Sequence, residues 1–473
     1  MSRRLAAPIA LAALLAGCMV GPDYRRPEVE VPAAYKEASQ WKVAQPADEA
    51  SRGKWWEVFG DPKLNALVEQ VEISNQNVKI AQAQFRQARA LVAASRASFF
   101  PELTANASIT RSQSPVGPIG GTTAGNIFTN RSASLDASWE PDLWGRVGRT
   151  VESSEAGAQA SAADLAAAQL SAQAELVSAY FQLRVLDEQK KLLDESAAAF
   201  QKTLDLTNNR YAAGVAAKVD VVQAQAQLKS TQADAIDTGV QRAQLEHAIA
   251  ILIGKPPAQF SIAPEPLAVS MPEIPAGLPS ALLERRPDIA AAERRVASAN
   301  AQIGVAKSAY FPAFTLSASG GYRSAEAAQW FTAPSRFWAI GAAVAQSIFD
   351  AGLRRAQTEQ AIAAYDATVA QYRQTVLGGF QEVEDNLAAL RILSEEAKVQ
   401  EEAVNAARES VTLTLNQYKA GTASYLNVVI VQAAQLTNER QAVTVLGRRL
   451  VAAATLVKAL GGGWSTAELS ASR

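Results

Sequence analysis

The chain has 473 residues with 45 basic and 46 acidic side chains, one histidine and one cysteine. So even a balance excludes a field that would draw in nucleic acid or a strongly charged partner, and a lone cysteine forms no disulfide within the chain. The hydrophobic share of 48% is largely alanine, as in SAADLAAAQLSAQAE, which favours helix and close helix approach without building a thick apolar core.

Residues 1–17 read as a lipoprotein signal peptide. Arg3 and Arg4 precede an apolar run over 5–15, which is shorter than the roughly 20 residues needed to span a bilayer. Leu15-Ala16-Gly17-Cys18 looks like a bacterial lipobox. In that pattern the Cys18 thiol carries an S-diacylglycerol group and its amine an N-acyl chain. The plainer alternative is an ordinary secretory signal that ends near a cysteine. Met19 follows, not the Asp that tends to hold lipoproteins at the inner membrane, and the resemblance points to the outer membrane. No 18-residue apolar run occurs later, so no transmembrane helix is predicted.

Beyond an N-terminal segment, 18–62, the chain is a tandem repeat, 63–254 and 281–460. SRASFFPELTANAS (95–108) recurs as AKSAYFPAFTLSAS (306–319), and RYAAGVAAKVDVVQAQAQ (210–227) recurs without a gap as QYKAGTASYLNVVIVQAA (417–434). EPDLWGR (140–146) is echoed by IFDAGLR (348–354). Each copy reads as helix, Phe-Pro, two extended segments, a long helix, a Tyr-x-x-Gly turn and a returning helix. A proline-rich linker, 255–280, joins the copies, and 461–473 is a C-terminal tail.

The extended segments alternate. Leu103, Ala105, Ala107 and Ile109 are apolar between Glu102, Thr104, Asn106, Ser108 and Thr110, and Ala133, Leu135, Ala137 and Trp139 alternate with polar neighbours. FTLSASGGYR (314–323) does the same, and FWAIGAAVAQSI (337–348) does so less cleanly. Period two over about ten residues suits a transmembrane barrel strand and equally a soluble sheet with one buried face. Four strands are too few for a closed barrel, which takes about eight, and lipid does not tolerate an open edge. Membrane insertion would therefore demand several copies of the chain.

Proline is absent from 142–255 and after Pro334, which permits long helices. A seam at Leu165, Ala172, Ala179, Leu186, Leu193 and Phe200, with Leu176, Leu183, Ala197, Leu204 and Tyr211 interleaved, predicts coiled-coil packing. The long helices are expected over about 145–213 and 352–420, each on the order of 100 Å. They turn at Gly214 and Gly421 and return to about Ile253 and Leu460. Gly378-Gly379 is a point at which the second long helix could bend.

With these features in place, the chain resembles the outer-membrane factor (TolC-like) family, in the NodT/OprM-like lipoprotein branch of tripartite efflux systems. PDYRRP, WWEVFGDPKLNALVEQV, LPSALLERRPDIAAAERRVASANAQIGVAKSAYFPAFTLSAS, the two Tyr-x-x-Gly turns and ALGGGW carry the likeness. It implies a mainly α fold with a transmembrane β-barrel portion: a homotrimer with a twelve-strand barrel in the outer membrane, a twelve-helix periplasmic α-barrel and an equatorial belt. The implied role is a passive exit duct for small molecules. Its partners would be a periplasmic adaptor and an inner-membrane transporter of the resistance-nodulation-division type. Family turn residues map onto Gly214, Val215, Ala216, Gly421, Thr422 and Ala423 as adaptor contacts, although the same glycines serve simply as helix caps. The family's aperture rings map onto Leu426 and Ile430. Relatives often carry an aspartate at the second position, and Ile430 there weakens a cation-binding gate and favours closure by dewetting. Asp220 stands where the second copy has Asn427, as an acidic contribution near the aperture or as a local cap.

Nothing in the residues suggests an enzyme, a resident cofactor or a metal site. His247 lies alone on a helix, Glu382, Glu384 and Asp385 fall on a long helix where a solvated face is the commoner reading, and Gly461 to Gly463 lack a Walker lysine. Two rivals to efflux stay open: a type I protein-secretion conduit, and a coiled-coil envelope lipoprotein without a pore.

Overall fold

The computed structural model describes residues 19–37, 54–113, 127–267, 271–272 and 285–464. The signal 1–17, Cys18, residues 114–126, much of the linker and the tail from 465 lie outside the described residues. In chain order the principal elements are α1 (Pro62–Ser74), α2 (Gln76–Ala97), β1 (Glu102–Gln113), β2 (Ile127–Trp139), α3 (Arg146–Ala212) and α4 (Lys218–Leu252). The second copy supplies α5 (Pro287–Ser308), β3 (Ala313–Ser324), β4 (Arg336–Ala345), α6 (Leu353–Ala420) and α7 (Tyr425–Ala459). Two compact units emerge, and they cut across the repeats. One gathers Met1–Pro27, Arg86–Ala160 and Ala292–Tyr372, the other Glu28–Phe85, Ser161–Ala291 and Arg373–Arg473. Each copy gives a strand pair to the first unit and a helical turn to the second.

In the first unit the four strands form one antiparallel sheet in the order β1-β2-β3-β4. The central β2–β3 pairing, with Ala137 opposite Ala318, joins the two copies. The outer edges of β1 and β4 have no strand partner among the described residues. Register carries the alternation across all four strands: Leu103 lies opposite Ala137, Ala318 opposite Ala137, and Ile340 opposite Ala318. One face is thus mainly apolar and the other mainly polar. A soluble sheet would cover its apolar face, whereas here Leu103, Trp338 and Ile340 are 68%, 76% and 78% exposed. The fourth strand ends at Ala345, earlier than 348, and the loop after β3 holds two short 3-10 turns, Ala327–Gln329 and Ala333–Ser335.

The repeated aspartates next to the strand ends start the long helices. Asp142 accepts hydrogen bonds from the N–H groups of Val147 (2.9 Å) and Gly148 (2.7 Å), and Asp350 accepts from that of Gly352 (3.0 Å). A carboxylate at this place satisfies free amides and complements the helix dipole. The same unit holds the PDYRRP segment. The Tyr24 hydroxyl donates to the buried Glu293 carboxylate, Arg26 Nε to the Tyr372 hydroxyl (3.2 Å), and Asn300 Nδ2 to the Pro22 carbonyl (2.9 Å). Buried Arg149 reaches the Val20 and Gly21 carbonyls and Asp23 (2.8 Å). Gly21, at φ +104°, lies so close to Gly304 that a Cβ would stand 2.4 Å from its Cα, which is why glycine precedes the motif.

The second unit is helical. Along α3 the predicted seam is buried at Ala172, Leu176, Ala179, Leu183, Leu186, Leu193, Phe200 and Leu204. Leu165 and Ala197 are half-buried, and Tyr211 turns outward, 44% exposed. Helix α6 is continuous through Gly378-Gly379. Gly379 lies beside Arg286 and Ile289, whose side-chain atoms would stand 3.4 Å from an added Cβ. The WWEVFGDP segment is a plug: Trp55, Trp56 and Phe59 are buried, with Phe59 edge-on to Phe181 at 4.8 Å. Asp61 caps α1 through the amides of Lys63 and Leu64 and accepts from the Tyr180 hydroxyl (2.5 Å). Buried Arg286 of the ERRPD motif bonds Asp288, Glu382 (2.7 Å) and the Ala459 carbonyl (3.1 Å). Glu382 therefore has a structural partner. Among the described residues no helix is long and apolar enough to cross a membrane.

Candidate functional site: the two helical turns

The turns between α3 and α4 and between α6 and α7 close with the same backbone device, as the gapless repeat predicts. Gly214 and Gly421 take left-handed conformations, φ 75° and 80°. The amide following each glycine reaches back across the helix end, Val215 to the Arg210 carbonyl (2.9 Å) and Thr422 to that of Gln417 (3.0 Å). This is the hydrogen bonding of a Schellman ending, with glycine where a side chain would strain the backbone. Thr422 also turns its hydroxyl onto the Gln417 carbonyl (3.1 Å). Val215 projects outward at 65% exposure, while Ala216 and Ala423 are half-buried.

Asp220 acts as a local cap. Its carboxylate accepts from the Ala217 amide (3.2 Å) at the start of α4. At the equivalent start of α7, Ser424 makes no side-chain cap, and Asn427 is exposed. Leu426 and Ile430 stand one turn apart on the exposed side of α7, opposite buried Tyr425, Val428 and Gln432. Val219, the counterpart of Leu426 at the repeat offset, is exposed as well. Each returning helix thus opens with an apolar residue facing outward, and the sequence reading had singled out only one of the two.

The residues that tie the turns to each other are those that break the repeat. Arg210, opposite Gln417 in the alignment, donates to the Tyr418 (2.9 Å) and Lys419 (3.2 Å) carbonyls at the end of α6. Its guanidinium lies 4.7 Å over the Tyr418 ring, which meets Tyr425 edge-on at 5.6 Å. A cation on the last carbonyls of a helix meets the negative end of its dipole. Burial, then the neighbouring Tyr418 and Asp220, pushes the Tyr425 hydroxyl up to about 12, so it stays neutral at physiological pH. In the first copy Lys218 replaces Tyr425 and Tyr211 swings out beneath it, 5.4 Å from ring to ammonium. Substitution between aligned repeat positions was the available signal for this cross-link. Below it, Leu193, Phe200, Leu204, Val221, Leu228, Val428 and Leu436 form one buried cluster shared by α3, α4 and α7.

These groups offer an exposed, partly apolar surface but no nucleophile or acid–base pair. His247 is exposed, and among the described residues no group of three or more His, Cys, Asp or Glu could hold a metal ion.

A family model described as outer membrane efflux protein matches residues 67–255 and 278–462. The chain is 30% identical over 467 residues to the probable efflux pump outer membrane protein TtgC of Pseudomonas putida, covering 98% of this chain and 96% of the relative. It is 32% identical over 436 residues to the pyoverdine export outer membrane protein OpmQ of Pseudomonas aeruginosa, covering 90% and 91%. Among solved structures, the outer-membrane channel OprN superposes with a TM-score of 0.88 at 32% identity, covering 94% of this chain and 100% of that one. The open state of the Neisseria gonorrhoeae MtrE outer membrane channel gives 0.82 at 29% identity, covering 94% and 98%.

Proposed function

This chain belongs to the outer membrane efflux protein family, and from that premise we infer that three copies assemble around a common axis into a barrel with a helical duct below it. The chain is the outer-membrane channel of an efflux system. The observation that carries the assembly is the sheet whose two edges are unpaired and whose apolar face is exposed among the described residues. Hydrocarbon leaves no backbone group unpaired, so β1 of one copy pairs with β4 of the next until the sheet closes. Three copies supply twelve strands, and the polar faces then line a wet lumen.

Cys18 in this reading carries the lipid that fixes the chain to the inner leaflet of the outer membrane. Val215, Ala216, Thr422 and Ala423, beside Gly214 and Gly421, meet a periplasmic adaptor. Leu426 and Ile430 turn toward the axis as two apolar rings that narrow the aperture. Transport through such a duct is passive, and an inner-membrane proton-driven pump of the resistance-nodulation-division type supplies both energy and selectivity.

Mild-detergent purification of the tagged full chain from envelopes, with mass spectrometry of its companions, tests the reading. A proton-driven pump and an adaptor are the expected companions. An ATP-binding exporter in their place would move the function to protein secretion.

A further inference from the structure

Charge on the sheet is distributed unevenly. The four strands contain two carboxylates, Glu102 and Asp136, and register puts both on the polar face. Of their four arginines, Arg323 shares that face, stacked 4.7 Å over the Phe337 ring. The other three, Arg111, Arg131 and Arg336, lie on the apolar face. Arg111 continues the row of Leu103 and Ile109, Arg131 lies opposite Ile109, and Arg336 lies opposite Tyr322 in the row of Trp338 and Ile340. They come from β1, β2 and β4, and all stand at the end of the sheet away from the long helices, forming a diagonal with Tyr322. Arg131 donates one hydrogen bond to the Ala325 carbonyl. Arg111 and Arg336 are exposed, with no side-chain hydrogen bond or ion pair among the described residues.

Directly beside this diagonal an open groove of about 650 Å³ crosses the same face. Gly320, without a side chain, forms its floor between Leu135 and Trp338, and Tyr322 and Arg336 bound one end. Cations on a lipid-facing surface are tolerated toward the interface, where a long side chain reaches the headgroups. Guanidinium groups match phosphate oxygens in charge and in planar geometry. An apolar groove ending at an arginine therefore has the two parts of a lipid site, a bed for a chain and a cation for a head.

We propose that Arg111, Arg131 and Arg336 seat the phosphate groups of a phosphorylated lipid of the outer leaflet, whose acyl chain lies in the groove over Gly320. The proposal rests on the reading of the sheet as a lipid-facing barrel wall. The strands carry an affinity for one class of lipid that the hydrophobic alternation alone does not require.

The full chain is placed in phosphatidylcholine nanodiscs containing a trace of diphosphoryl lipid A, and the lipid A retained per assembled protein is measured by mass spectrometry. Replacing all three arginines by Gln is expected to cut retention at least tenfold, and Arg336→Gln alone several-fold, with partial recovery in Arg336→Lys, which restores the charge but not the planar fork. Arg323→Gln, on the polar face, is expected to leave retention unchanged, and lipid A stripped of phosphate is expected to be lost. Equal retention by the triple variant, or of the stripped lipid, with the oligomer intact, overturns the proposal. Should the triple variant fail to assemble, the Arg336→Gln and Arg336→Lys pair decides by the same measure. Wild-type protein running as single chains would overturn the barrel reading and this site with it, a result distinct from loss of lipid alone.

Discussion

At the residue scale, positions that break the repeat carry contacts that local pattern does not reveal. Gly214 and Gly421 were legible because each turn is written twice and the backbone requirement is local. Arg210 was not, because its acceptors lie 208 and 209 residues away, and no periodicity spans that distance. Hydrogen bonds to a charged group contribute about 1.5–3 kcal/mol. Arg210→Gln, which makes the first turn read like the second, should therefore speed amide hydrogen exchange over 418–424 by about tenfold or more. Gly21→Ala puts a methyl onto the Gly304 backbone in a left-handed conformation. A cost of about 1–3 kcal/mol follows, visible as faster tryptic cleavage after Arg25. Tyr425 binds its proton more tightly folded than unfolded, so its contribution to stability is complete below about pH 10 and is lost as pH rises from there through about 12. Tyr425→Phe should flatten the fall in thermal midpoint across that window.

At the scale of elements, the strands and helices were largely legible. The long helices run Arg146–Ala212 and Leu353–Ala420, close to the stretches that proline spacing leaves free. Period two located all four strands, and register then separated the faces. One residue reads differently in the structure: Tyr211 leaves the seam and lies beneath the Lys218 ammonium. The returning helix α7 is buried along Tyr425, Val428, Gln432 and Leu436 and apolar on its open side at Leu426 and Ile430. If those two residues close the aperture by dewetting, Leu426→Ser and Ile430→Ser should each raise the resting conductance of single channels in planar bilayers. Unchanged conductance in both would remove them from the constriction.

At the scale of the whole molecule, the four strands of one chain are too few to close a barrel. Solubilised protein should run as a complex of three 50.1 kDa chains, less the signal, that separates into single chains only on heating in dodecyl sulfate. Composition pointed to helix and the repeat to duplication, yet the compact units cross the repeat boundary, because both copies place their strands in one unit and their turns in the other. That interleaving arises from pairing between distant segments, such as Ala137 with Ala318, and no local signal announces it. The open edges of β1 and β4 among the described residues also make each ring depend on every member. A ring that separates only on heating in dodecyl sulfate keeps nearly every chain assembled, so channel number follows chain number in direct proportion. With three copies to a ring, a defective edge on half of the chains would leave only about one eighth of randomly mixed rings free of it.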